Sequence, residues 1–230
     1  IRDRLDAVGN TTAAIGKSFA SSATAAAAIS LLTAYSEAVQ IVHLDIRDPK
    51  VMAGLLIGGV LPAFFASMVI KSVGRTAQLM VIEVRRQFRE LVGLMDGKVQ
   101  PDYTHCVDIA TQGALKQLVL PCFLAICVPF VTILILGREA LAGLLAGCIV
   151  CGIFLALFMA NAGGAWDNAK KRIEDGEMGG RGSLAHKASV IGDTVGDPLK
   201  DTAGPTLDIL VQLVATVSLA FTPLFLRLLQ

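Results

Sequence analysis

Charge is what this sequence has least of. Only 17% of its 230 residues are Asp, Glu, Lys or Arg, against about a quarter in an ordinary soluble domain, while 54% are hydrophobic. A chain so apolar is not disordered, and it is too apolar for water. Neither sign is in excess: 20 Lys and Arg stand against 19 Asp and Glu. No global field gathers polyanions, which excludes a nucleic-acid binder. The five cysteines, Cys106, Cys122, Cys127, Cys148 and Cys151, are odd in number and lie mostly inside apolar runs, which excludes a disulfide scaffold. Cys148 and Cys151 form a CxxC, but without a second ligand pair or a polar flank they are expected to be packing thiols. A signal peptide with a basic start, apolar stretch and small-residue cleavage site is also missing. Opening on Ile1 and not Met, the chain is expected to be a piece of something longer.

The charges that are present leave five long gaps, residues 18–36, 51–70, 117–137, 140–166 and 209–226. At about 1.5 Å per residue each makes a helix of about 27 Å or more, the thickness of a bilayer's hydrocarbon layer. Buried helices of a large soluble protein would need a polar shell that this sequence does not contain. The expectation is an all-α fold, a polytopic transmembrane helix bundle. It forms a single membrane domain over 1–230 with five long helices at roughly 10–39, 51–95, 104–136, 139–174 and 193–228. Five crossings place sixteen of the Lys and Arg residues on one side and only Arg47, Lys50, Arg138 and Arg227 on the other. The sixteen-charge side is expected to be cytoplasmic, with the N-terminus inside and the C-terminus outside.

Beyond Lys71 the second helix keeps an apolar period through Val73, Ala77, Met80, Val81 and Val84, with Glu83, Arg85, Arg86 and Arg89 on its other face. It is expected to emerge into the cytoplasm and to end at the turn 97–101. Pro121 and Pro129 should kink the third helix. The polar, Gly-rich stretch 175–185 is a candidate hinge or lid.

In Gly192-Asp193-Thr194-Val195-Gly196-Asp197-Pro198-Leu199-Lys200-Asp201, a helix would put three aspartates in one row, four residues apart. Carboxylates so spaced sit about 6 Å apart, and at an effective dielectric of about 20 each neighbouring pair repels by about 3 kcal/mol before screening. Ordinary folding does not ask for that, whereas divalent cations sharing the row would relieve it. Oxygen-only ligands point to Mg²⁺ rather than zinc. Asp167 with Lys170 and Lys171, and Asp197 with Lys200, repeat a pattern of acid followed by base. Taken singly these are ordinary helix ion pairs. Together with three aspartates beside an uncharged run they point to a metal-bridged phosphate, with ammonium groups holding the remaining charge.

Several segments together carry a family resemblance. They are Gly9-Asn10-Thr11-Thr12-Ala13-Ala14-Ile15-Gly16-Lys17, Lys71-Ser72-Val73-Gly74, Glu83-Val84-Arg85-Arg86-Gln87-Phe88, Gly163-Gly164-Ala165-Trp166-Asp167-Asn168-Ala169-Lys170-Lys171, and His186-Lys187-Ala188 followed by the aspartate segment through Pro205. In order and over essentially the whole chain, they resemble the C-terminal third of the membrane-bound, ion-pumping inorganic pyrophosphatases, which are homodimers. The resemblance implies Mg²⁺ ligands at Asn10, Asp167 and Asp197 and pyrophosphate-holding ammonium groups at Lys170 and Lys200, with Lys171 beside them. It implies a water-activating aspartate at Asp201, with Asp193 in the same catalytic acidic group. Ala13 and Gly16 are similar to the potassium-dependent branch, where K⁺ takes the place of a lysine at position 13; on composition alone they would be close-packing small residues.

The same resemblance implies an ion gate at Asp208 and Gln212, although the family usually carries lysine at the position of Gln212. It also implies that an aspartate-rich motif, supplying further Mg²⁺ ligands and a second water-activating aspartate, belongs upstream of these residues. Alone, this piece is not expected to hydrolyse pyrophosphate. The function implied is a pyrophosphate-energised pump moving H⁺ or Na⁺ across a lipid bilayer, K⁺-stimulated. Its place would be the cell membrane of a bacterium or a vacuolar-type membrane of a eukaryote. A non-hydrolytic secondary transporter or channel, or an inactive truncated fragment, remains the alternative.

Overall fold

In the computed structural model, residues 2–228 are described, apart from the side chains of residues 2–4, 6, 7, 10, 14, 117 and 228. Among them there are helices and no strand. The order is α1 (Arg2–Ala38), α2 (Pro49–Glu90), α3 (Tyr103–Leu136), α4 (Arg138–Glu174), α5 (Leu184–Asp197), a π-helical turn (Pro198–Ala203), α6 (Gly204–Ala220) and α7 (Thr222–Leu228). Five helical stretches are long and apolar enough to cross a membrane: Thr11–Ala38, Pro49–Glu90, Tyr103–Leu136, Arg138–Glu174 and Leu184–Ala220. The expected all-α polytopic bundle is what the chain forms. Large apolar side chains such as Leu56, Phe64, Ile135, Val150 and Phe154 stand on its outside, a liability in water and the ordinary surface of a helix in lipid.

Helix α4 is the axis of the bundle, packing against α1, α2, α3, α5 and α6. With no hydrophobic driving force inside a bilayer, close backbone approach has to supply the packing. Glycines allow it here. A Cβ at Gly54 or Gly58 would strike the backbone of Ala140 or Leu144, and one at Gly143 or Gly147 would strike Val51 or Leu55. The two Gly-x-x-x-Gly pairs of α2 and α4 therefore face each other. Cys148 is buried at this seam and all five cysteines are free thiols.

Helix α1 is richer in Ser and Thr, and it satisfies their hydroxyls on its own backbone. Thr12, Ser22, Ser30, Thr33 and Ser36 each donate to the carbonyl four residues earlier, at 2.9–3.0 Å. At one end of the bundle Tyr35 donates to the Arg138 carbonyl (3.2 Å) while Arg138 donates to that of Val39 (3.1 Å). Phe130 meets Phe221 and Phe225 edge-on at 4.9 Å nearby in the fold, tying α3 to the last two helices. In the loop between α1 and α2 the Arg47 guanidinium hydrogen-bonds Asp45 (2.9 Å) and holds its carboxyl below the usual carboxylate range.

Some boundaries differ from the sequence expectation. Helix α1 starts at Arg2. Helix α2 stops at Glu90, because the chain turns through Gly93 at φ 90°, a conformation that favours glycine. The last crossing begins at Leu184, where the Ser183 hydroxyl caps the helix by accepting from the His186 amide (3.0 Å), and it breaks at Phe221. Pro121 and Pro129 lie within a continuous α3. The Gly-rich stretch is a loop: Gly176, Gly179, Gly180 and Gly182 all have positive φ, as does Met178.

Candidate functional site

The site lies where the last turns of α4 meet α5 and the π turn. Two contacts bring the helices close enough. The ring of Trp166 fills the space a side chain at position 192 would need, and Gly163 lies against Gly196 and Lys200 with no room for a Cβ. This approach carries Asp167 of α4 to the Asp193–Asp197 face of α5. One carboxylate oxygen from each of the three lies within 4.8 Å of the others. Asp167 and Asp193 are buried, with 7% and 6% exposure, and Asp197 opens to solvent.

Four lysines hold these three aspartates and Asp201. Lys200, itself buried at 6% exposure, puts its Nζ 2.8 Å from Asp167, 3.5 Å from Asp197 and 3.6 Å from Asp201. Lys170 pairs with Asp193 and lies 3.9 Å from Asp167, and Lys171 lies 3.6 Å from Asp167. Lys17 of α1 pairs with Asp201. Four aspartates and four lysines give a formal balance of zero, so no side chain of this group is left as an uncompensated buried charge, which would cost about 3–5 kcal/mol. One atom falls outside the balance: the buried Asp193 Oδ1 has no hydrogen-bond partner among the described residues.

The geometry departs from a single aspartate row. Pro198 has no N–H to donate, and the backbone from Pro198 to Ala203 widens into a π turn, closed by the Gly204 amide on the Leu199 carbonyl. Asp193 and Asp197 stay together and gain Asp167 as their third member, whereas Asp201 turns to Lys17 on α1. Lys17 is the site residue that sequence reasoning missed. Its signal was available: it closes the first quoted motif and stands immediately before the uncharged run 18–36.

Of the other sequence candidates, Asn10 falls on α1 with its side chain outside the described residues. Ala13 and Gly16 are exposed on α1, and nothing lies within 4 Å of where a Cβ at Gly16 would be. Asp208 is seven residues further along than Asp201, where the buried Ser21 hydroxyl donates to its Oδ2 at 2.7 Å; its Oδ1 is buried without a partner among the described residues. Gln212 is exposed on α6 and does not join this contact. Helix α1 thus runs parallel to the last crossing and touches it at two polar points, Lys17–Asp201 and Ser21–Asp208.

A bundle of membrane-length helices with four aspartates and four lysines gathered at one end defines a polytopic integral membrane protein with a charged site. Its family is identified by sequence: the family model for inorganic H⁺ pyrophosphatase matches residues 1–221, and the chain belongs to that family. A K(+)-insensitive pyrophosphate-energized proton pump of Methanosarcina mazei is 51% identical over 226 residues, covering 97% of this chain and 34% of that protein. Another protein of that description, from Caldanaerobacter subterraneus subsp. tengcongensis, is 48% identical over 234 residues, 98% of this chain and 33% of its own length. A K(+)-stimulated pyrophosphate-energized sodium pump of Thermotoga maritima is 47% identical over 238 residues, again 98% and 33%. The chain spans about a third of the length of the curated relatives it matches.

Proposed function

We propose that these residues form part of a pyrophosphate-energised ion pump, which hydrolyses magnesium pyrophosphate at the cytoplasmic end of the bundle and moves H⁺ or Na⁺ outward. The observation that carries this is the convergence of Asp167, Asp193 and Asp197 from two helices, interleaved with lysines. The donor set fits Mg²⁺, since every ligand atom is oxygen and the buried Asp193 Oδ1 in the same group has no hydrogen-bond partner among the described residues. Asp167 and Asp197, with Asn10, would hold the ion. When bound, Mg²⁺ supplies neutralisation of the phosphate charge.

The lysines then have a second task. Lys170 and Lys200, with Lys171 beside them, leave their carboxylates and hold the phosphoryl oxygens, so one set of ammonium groups stabilises both states of the site. Asp201, held by Lys17 and about half exposed, orients the attacking water and takes its proton. The water oxygen bonds to one phosphorus as the bridging P–O bond breaks, leaving two phosphates. Asp193 holds Lys170 in place until pyrophosphate binds. The ion path passes Asp208, held by Ser21, and the neighbouring Gln212. The pump works as a homodimer with K⁺ as activator near Ala13 and Gly16, in the membrane of its cell or vacuole.

Pyrophosphatase activity and ion pumping are measured on the intact protein in sealed vesicles titrated with Na⁺ and K⁺. Asp201→Asn abolishes Mg²⁺-dependent phosphate release; retained hydrolysis overturns the role of Asp201. K⁺ stimulation is lost in Ala13→Lys, and ion flux without pyrophosphate hydrolysis would make the protein a secondary transporter.

A further inference from the structure

Outside the aspartate–lysine site, the crossing of α2 and α3 holds three cations in one pocket. Lys71, Arg75 and Lys116 line a cavity of about 350 Å³ together with Met68, Leu120 and Pro121. None of the three cations forms an ion pair among the described residues, and no acid lies within seven residues of them on their own helices. Over residues 51–82 the only charges are Lys71 and Arg75, and over 109–137 the only charge is Lys116. The fold brings these isolated charges together from two helices.

Their depth is also specific. Lys71 is the first charge after the uncharged run 51–70, and Lys116 is the last before the run 117–137. The cations therefore stand at the polar edge of the bilayer, while Met68, Leu120 and Pro121 continue the pocket towards the hydrocarbon. A ligand matching this layout has a negative head and an apolar tail. We infer that the pocket between α2 and α3 binds an anionic phospholipid, its phosphate held by Lys71, Arg75 and Lys116 and its acyl chains lying along the α2–α3 groove. This inference depends on the membrane reading and not on pyrophosphate hydrolysis.

The test is native mass spectrometry and lipid titration of the intact detergent-solubilised protein with phosphatidylglycerol, phosphatidylcholine and inorganic phosphate. Phosphatidylglycerol is expected to bind at least tenfold more tightly than phosphatidylcholine, with an affinity that falls as salt rises. In K71Q/R75Q/K116Q the preference is lost, with affinity about a hundredfold weaker, while K71R/K116R retains it. Should the triple variant fail to fold, K116Q alone is expected to lose about fivefold. Equal binding of phosphatidylcholine, undiminished binding by the glutamine variants, or full displacement by millimolar inorganic phosphate would overturn the inference, the last by making this a free-phosphate site.

Discussion

Gly163→Ala tests whether helix spacing sets the geometry of the charged site. A Cβ at position 163 would lie 2.6 Å from the Lys200 Cβ and 3.1 Å from its backbone nitrogen, and against the Gly196 carbonyl oxygen. Carbon atoms at rest stand about 3.5–4.0 Å apart, so α4 and the π turn must separate by about 1 Å. Backbone cannot rotate away as a flexible side chain would. The strain of such overpacking is about 1–3 kcal/mol. The same displacement moves Asp167 away from Lys200 and from Asp193, and a misplacement of about 1 Å at a reacting centre costs about a hundredfold in rate. Gly164 supplies the control, because nothing lies within 4 Å of a Cβ there. Mg²⁺-dependent phosphate release by the intact protein in membranes should fall about a hundredfold in Gly163→Ala and stay near wild type in Gly164→Ala. Full activity in Gly163→Ala, or equal damage in both variants, would refute the reasoning.

Further tests address the other contacts. Lys200→Met removes the 2.8 Å partner of buried Asp167 and leaves the acidic group with one cation too few. Thermal unfolding should register a loss of about 3 kcal/mol, partly restored by Mg²⁺, and an unchanged transition would show that this lysine does not hold the carboxylates. Ser21→Ala strips Asp208 of its hydrogen bond and should cost about 1–3 kcal/mol by the same measurement, together with a change in ion pumping at unchanged pyrophosphate affinity. Gly58→Leu forces α2 off Leu144 and Cys148 of α4; protease resistance of the membrane-inserted protein should disappear, and its survival would mean that the glycine seam is not what joins these helices.

The five crossings were legible in the one-dimensional pattern of charge, because burying a charge in hydrocarbon is costly wherever the chain later folds. The gaps 51–70 and 140–166 therefore mark α2 and α4 without any knowledge of their partners. Helix ends were less legible, since they depend on single local events: the Ser183 cap, the Gly93 turn and the break at Phe221. The site was legible in part. Local spacing grouped Asp167 with Lys170 and Lys171, and Asp197 with Lys200, but spacing on one helix cannot show that Asp167 completes the group of Asp193 and Asp197.

By itself the sequence determined the solvent of this protein, the number of its crossings and the acids and bases available to it, for these follow from the solvation of each residue type. Only the tertiary structure decided who meets whom. It turned Asp201 through the π turn to Lys17, gave Lys200 to Asp167, set Ser21 against Asp208, and assembled three isolated cations of α2 and α3 into one pocket. Each pairing rests on the approach of two helices; between α4 and the last crossing that distance is set by Gly163, Gly192 and Gly196, whose effect is expressed only when the second helix arrives.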